Sequence, residues 1–402
     1  MPAATKDLPI LIAGGGIGGF AAALALARKG RAVHVIEQST ELGEVGAGIQ
    51  LGPNVFRMFD ALGLTDAINE TVCYPDALIM MDALTGDEVT RVPLNTDEFR
   101  ARFGLPYAVI YRPDLHRAFV DACEKEPLVS VTLGTKLRSY IDHGDHVEAR
   151  TSAETALKGA ALIGSDGLWS SVRQELIGDG APTVSGHIAY RAVLKTEEVP
   201  DTSRNNSVVL WAGPKTHLVH YPLHRGDIYN LVAVFHSDRY EEGWDVFGDT
   251  DELKLKFQNQ HPAVHAMLDK IESWRMWVLC DREPIRNWSK GRVTLLGDAA
   301  HPMLQYLAQG ACMATEDAVC LAGKVAEHGD DLEAAFQAYQ AARYLRTGRV
   351  QLTARLYGDI YHAQGVTAEL RAMMLSNRTP EQAYQGMSWL YDGVSADGSQ
   401  IL

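Results

Sequence analysis

Cysteine is scarce: five residues (Cys73, Cys123, Cys280, Cys312 and Cys320) are scattered over 402 positions. Their number is odd and none forms a C-x-x-C pair, which argues against a disulfide framework or a zinc knuckle and for a reducing, cytoplasmic setting. Positive charge is in deficit. Against 51 acidic residues stand 37 Lys and Arg, a formal net charge of −14. This disfavours a nucleic-acid or anionic-membrane partner, while leaving room for local basic pockets. No apolar run reaches the ~20 residues needed to span a bilayer. The apolar N-terminal stretch is interrupted by glycines and followed, not preceded, by Arg28 and Lys29, unlike a secretory signal. Repeats and low-complexity tracts are also missing. What remains is an ordinary globular composition, 46% hydrophobic and 22% charged, long enough for two domains or one with a large insert.

The most informative stretch is LPILIAGGGIGG, residues 8–19. An apolar run leads into Gly14-x-Gly16-x-x-Gly19, a helix-period segment follows, and the β-branched run Ala32–Ile36 ends on Glu37. In such a unit the first glycine makes the tight turn, the second admits a pyrophosphate and the third lets helix pack on strand. The diphosphate meets the positive end of the helix. Glu37 follows Gly16 by about 20 residues, the spacing of a carboxylate that grips a ribose hydroxyl. Strand, glycines, helix, strand and acid in this order predict a Rossmann-like dinucleotide site.

Two later strand ends repeat the theme. Ala160–Ile163 runs into Gly164-Ser165-Asp166-Gly167, and Gly291–Leu296 runs into Gly297-Asp298-Ala299-Ala300-His301-Pro302 before a helix that begins near Ala311. Carboxyl ends of strands are where open α/β sheets bind ligands. Arg112 stands at the mouth of another helix, open to a phosphate or to solvent. The glycine-rich segment 41–52 is a flexible connection or a cover for the nucleotide. Residues 71–110 read as a small antiparallel sheet, 129–163 as three strands, and the tail from about Ser376 as irregular with Trp389 and Tyr391 as packing anchors. Residues 180–280 are strand-rich. In THLVHYPL, residues 216–223, a period of two sets His217, Val219 and Tyr221 on one face and Leu218 and His220 on the other. That split, and the lack of a nearby carboxylate, argues against a metal held by His217, His220 and His224.

Taken together, GGGIGG with Glu37, GSDGLWSSVR (164–173) and GRVTLLGDAAHPMLQYLAQGACMATEDA (291–318) resemble the single-component flavoprotein aromatic hydroxylases, the family of p-hydroxybenzoate and salicylate hydroxylases. The resemblance implies an α/β fold: a Rossmann-like FAD-binding domain (1–178 and 281–345), an inserted sheet-rich substrate domain (179–280) and a C-terminal helical segment (346–402). It implies that Gly14, Gly16, Gly19 and Glu37 hold the adenosine end of non-covalent FAD, that Arg112 meets the flavin–diphosphate region, that Asp166 serves both FAD and the nicotinamide donor, that Asp298 lies near the ribityl–diphosphate, and that Gly310 and Ala311 begin the helix beside the flavin. NADH and O2 would be co-substrates, with OH delivered by an electrophilic flavin hydroperoxide. GDAAHPMLQYLAQG (297–310), GPKTHLVHYPL (213–223) and DREPIRNW (281–288) resemble a branch that hydroxylates 3-hydroxybenzoate para to its phenol, giving gentisate, and that resemblance implies that His217, Tyr221 and Gln305 contact substrate and that the enzyme is a homodimer. Where the family commonly has proline and glycine, this chain has Gln305 and Ala308. Decarboxylative salicylate hydroxylation, an NADH oxidase that inserts no oxygen and a nucleotide-sensing regulator are the competing functions.

Overall fold

The computed structural model describes residues 8–43, 47–238 and 246–401. Its first layer is a six-stranded sheet in the order Ser289–Lys290, Val293–Leu295, Ala161–Gly164, Ile10–Ala13, Val33–Ile36, Val129–Thr132. All neighbours but the first pair run parallel. Ile10–Ala13 is buried along its whole length, as a central strand covered by helices on both faces must be. The alanine-rich helix Ile17–Arg28 buries ten of its twelve residues, because it packs between this sheet and the helix Gly310–His328. Gly14 has φ +101°, and a Cβ there would lie 2.3 Å from the Ser165 carbonyl oxygen. At Gly19 a Cβ would lie 2.0 Å from the Gly14 carbonyl oxygen. Both positions therefore exclude any side chain.

The second layer is an eight-stranded sheet: Val246–Phe247, Arg275–Asp281, Thr183–Lys195, Ile228–His236, Thr216–Leu223, Val208–Gly213, Ala77–Asp82, Glu88–Pro93. The last two strands correct the expectation of a separate small sheet at 71–110. Ala77–Asp82 joins the larger sheet, parallel to Val208–Gly213, while Ala108–Tyr111 pairs with Gly48–Leu51. One face of the large sheet is sealed by the helices Thr250–Phe257 and Pro262–Leu268, whose Leu253, Phe257, Val264 and Met267 join Leu218, Leu231 and Phe235 in a second core. Residues 129–164 hold five strands, not three. The tail is not irregular: Pro380–Tyr391 is helical, with Thr379 and Gln382 forming a reciprocal capping box and Pro380 in the first turn. Trp389 and Tyr391 pack against the main core from this helix. Among the described residues no helix is long and apolar enough to cross a membrane.

The 30-residue helix Leu332–Tyr361 lies against Gly310–His328 and is bolted to it by buried charge. Arg343 donates to Glu316 and Asp317, each at 2.7 Å, and Arg346 grips both oxygens of Glu316 at 2.7 Å. All four side chains are buried. Burial alone would raise the two carboxyls, but Arg346 and Arg343 beside Glu316, and His301 and Arg343 beside Asp317, hold both below the ordinary range. Removing one member of such a set leaves its partners charged and unmatched. Arg343→Met is expected to cost about 3–5 kcal/mol of stability, read as a lowered urea midpoint. A loss under about 1 kcal/mol, the size of a surface pair, would mean the network contributes little.

Candidate functional site

A cavity of about 560 Å³, open to solvent on one side, lies between the two layers. At one end it is lined by Gly16, Ile17 and Gly18, in the middle by Arg112, Gly297, Asp298, Gly310 and Ala311, and at the other end by Arg191, His217, Val219, Tyr221 and Gln305. The three strand-end motifs thus open on one space that also touches the large sheet.

The Gly15 peptide is clamped at the narrow turn. Its N–H donates to Glu37 Oε2 at 2.6 Å, and its carbonyl oxygen accepts from His116 Nε2 at 2.7 Å. Glu37 sits at the end of Val33–Ile36 and also receives the Ser39 N–H at 2.7 Å. His116, on the helix Arg112–Glu124, carries no motif that could have marked it. The helices Ile17–Arg28 and Gly310–His328 both begin at the cavity without a capping side chain and without an acidic residue in the first turn. Their terminal N–H groups are left for an anionic or electron-rich guest. Asp298 faces the same space, reached by solvent through the cavity yet enclosed by protein, and burial raises its carboxyl. Asp166 is placed differently. Its carboxylate accepts the Ser171 and Val172 N–H groups at 2.7 and 3.3 Å, at the start of the helix Ser171–Leu176. Beside it, Ser165 and Gly167 line the cavity. Of the segment 41–52, residues 44–46 fall outside the described residues, while Gly48, Ile49 and Gln50 line the cavity.

The glycine turn, the two uncapped helix starts and Asp298 match what a flavin dinucleotide requires: room for a diphosphate, backbone donors for it and for a ring, and a polar group for the chain between. The residues present fit FAD.

At the far end the period-two reading of Thr216–Leu223 holds. His217, Val219 and Tyr221 line the cavity, while Leu218 belongs to the core behind the sheet and His220 accepts from Trp211 Nε1 at 3.3 Å. His224 is exposed and meets Asp114 at 3.1 Å, so His217, His220 and His224 do not converge. Register explains the pocket floor: Arg191, Val232, Val219, Leu210 and Met80 are successive partners across the sheet, and every one faces the cavity.

Arg191 was not foreseen. It is an arginine inside a strand-like run, and nothing local shows which way it points. Its guanidinium lies over Trp277 at 5.3 Å and donates to Gln305 Oε1. It forms no ion pair among the described residues, and its Nε is buried without a partner. Burial pulls its pKa down to about 10, so it remains a cation in want of an anion. Gln305 lies in the short turn Gln305–Leu307, which ends on Ala308 at φ +52°. That left-handed conformation is why glycine suits the position and alanine is strained. His217 is buried, and burial together with neighbouring His187 lowers its pKa to about 3, which keeps the ring neutral. Burial likewise raises the Tyr221 hydroxyl.

Known proteins match both halves of this description. The family model described as an FAD binding domain matches residues 7–352. A 3-hydroxybenzoate 6-hydroxylase of Polaromonas naphthalenivorans (strain CJ2) is 48% identical over 387 residues, 96% of each chain. Another from Klebsiella oxytoca is 44% identical over 387 residues, 96% of this chain and 97% of the relative. Among solved structures, a substrate complex of salicylate hydroxylase superposes with a TM-score of 0.81 over 99% of both chains at 23% identity. Klebsiella pneumoniae HpxO with FAD and uric acid reaches 0.84 over 97% of this chain and 98% of that one at 24% identity, a likeness of fold. The glycine turn, the two strand-end motifs and these relatives together identify the chain as a member of the FAD-binding-domain family, a flavoprotein monooxygenase.

Proposed function

We propose that this enzyme hydroxylates 3-hydroxybenzoate para to its phenol, giving gentisate at the expense of NADH and O2. One observation carries the reading: a half-buried guanidinium with no ion-pair partner among the described residues (Arg191) and a neutral imidazole (His217) share an apolar box floored by Val219, Val232, Leu210 and Met80. A flat ring with a carboxylate on one side and an ionisable hydroxyl on another satisfies all three. The relatives whose names specify that substrate support the choice.

Bound FAD supplies the activated oxygen; the chain's own residues do the rest. Arg191 receives the carboxylate, and that pairing fixes which ring carbon faces the flavin. Gln305, its Oε1 occupied by Arg191, turns its amide N–H toward the phenol oxygen. His217 accepts the phenol proton, which makes the ring electron-rich as the oxygen arrives. Tyr221, held protonated by burial, donates a hydrogen bond without competing for that proton. The dry walls exclude water from the reacting centre.

The first test is oxygen uptake by the FAD-loaded protein with NADH and 3-hydroxybenzoate. Gentisate should form in step with NADH consumed; hydrogen peroxide alone would mean a different ring, and no stimulation by any phenolic acid would sink the reading. His217→Ala should slow coupled hydroxylation about 10²-fold or more, and Gln305→Ala about 10–100-fold, with FAD content unchanged. Full coupled turnover in either variant would remove the role given to that residue. Arg191→Gln should erase most of the preference for 3-hydroxybenzoate over unsubstituted phenol, measured as a ratio of kcat/KM. An unchanged ratio would place the carboxylate elsewhere.

A further inference from the structure

A proton handed to His217 has nowhere to stay. The ring is buried, and a lasting imidazolium there is strongly disfavoured. Behind it stands a group of histidines that no local spacing announces. His217 Nδ1 lies 2.7 Å from His362 Nε2, and His362 Nδ1 lies 3.0 Å from His236 Nε2. His362 closes the long helix Leu332–Tyr361 and is buried; His236 ends the strand Ile228–His236 and is half-buried. The three imidazoles therefore run in hydrogen-bond contact from the cavity wall toward the surface. Each inner ring uses one nitrogen for the step before and the other for the step after.

We propose that His217, His362 and His236 form a proton wire that carries the phenol proton from the cavity to solvent and returns it to the product. This rests on the reading of His217 as the base. In the outward direction the phenol O–H bond breaks and an N–H bond forms at His217 Nε2. The His217 Nδ1 proton passes to His362 Nε2, and the His362 Nδ1 proton to His236 Nε2. His236 then releases its own Nδ1 proton to water. No electrons change hands, and the single positive charge comes to rest only on the outermost ring. The transfer leaves each imidazole in its other tautomer. When the phenol oxygen is protonated again in the product, the same steps run inward and reset the chain. Concerted movement suits these rings, because burial and the neighbouring histidines leave no resting place for charge on His217 or His362.

The outer end is built for the exchange. His236 is lowered by burial and by Lys215 and Lys256, but Asp359 on the long helix opposes them. His187 packs at a tilt of 34° against His236, ring centroids 4.2 Å apart, and is tied to Tyr306 by a 2.6 Å contact between its Nδ1 and the phenolic oxygen. Tyr361 packs on His217, 5.6 Å between centroids, and its hydroxyl donates to the Tyr306 carbonyl oxygen. These neighbours fix the rings at the angles the wire needs. His362 and His236 are thus positioning residues that act through His217.

The test mixes oxidised, FAD-loaded enzyme with 3-hydroxybenzoate in weak buffer containing a pH indicator, without NADH, and follows phenolate absorbance and proton release together by stopped flow. His236→Gln and His362→Gln should slow both signals about 10-fold or more while leaving FAD content and the substrate Kd within about threefold, a difference of under 1 kcal/mol. Added imidazole should restore much of the rate in His236→Gln and none in a His217→Gln variant. Wild-type rates in His236→Gln overturn the wire, and that variant decides the matter alone if His362→Gln fails to retain FAD. Coupled hydroxylation by the wild type with no proton release on binding also overturns it. Loss of the base reading looks different: His217→Gln then keeps full coupled turnover.

Discussion

Two buried carboxylates on one helix hold the site together. Glu316 and Asp317 stand in the second turn of Gly310–His328, and between them they tie this helix to the Gly297–Asp298 turn, to the helix Pro53–Ala61 and to the long helix Leu332–Tyr361. Asp317 Oδ2 accepts the Gly297 N–H at 3.1 Å and meets His301 Nε2 at 2.5 Å, which fixes the Gly297–Asp298 turn against the helix. Glu316 Oε1 accepts from Asn54, whose amide also reaches Gln309 at the mouth of the same helix. Their counterions extend the grip to the C-terminus: Arg343 donates to the Gly398 carbonyl oxygen, and Arg346 to that of Leu390. Two buried charges would be a heavy cost alone. Here each is matched by guanidinium and by hydrogen bonds on its remaining lone pairs, the condition under which such a set is tolerated. What it contributes is position more than stability. The start of this helix opens on the cavity without a side-chain cap, so the constraint is applied one turn further in.

The same division of labour appears across the cavity. Groups that line the cavity are each held from one side, and groups one layer back are over-determined. Gly15 is held by both its N–H and its carbonyl, so the turn keeps its shape while its neighbours stay open to a diphosphate. Gln305 is oriented by Arg191 through the oxygen end of its amide. Arg191 in turn is steadied by the Trp277 ring, which supports a cation without neutralising it. Preorganisation of this kind removes ordering costs before substrate arrives.

How much of this was legible in the sequence follows the range of the interactions. The Rossmann-like half was readable because strand, glycines, helix and acid lie within one short stretch and each constrains the next. The face carrying His217, Val219 and Tyr221 was readable because a strand has a period of two whatever it pairs with. Long-range pairing was not. Nothing local says that Leu78 will sit beside Val208, and so two strands of the large sheet were assigned to a separate one. The helix Pro380–Tyr391 did carry its signals, Thr379, Pro380 and Gln382, but Gly386 and a sparse aliphatic pattern masked them. Arg191, His116 and the histidine group share the deepest obstacle. Each matters through a partner on a distant element, and a residue's own neighbours in sequence do not show that partner.

Electrostatics decides why the ring end of the cavity uses this particular mixture of groups. A phenol must be made more nucleophilic without being given a permanent cation to lean on, because a cation at the phenolate would quiet the electron density that attack on oxygen requires. The proposal therefore pairs Arg191 with the carboxylate, where charge pairing would position the ring without touching its reactivity. In the proposed complex the phenol would be met by neutral donors and acceptors: the Gln305 amide, the buried Tyr221 hydroxyl and the His217 imidazole, whose lowered pKa keeps it uncharged. A base so reluctant to hold a proton can still remove one if the proton does not stop there. Low basicity at the inner ring, which in an isolated histidine would be a defect, becomes useful if His362 continues the path as proposed: the proton leaves for solvent, and no imidazolium is left beside the phenolate.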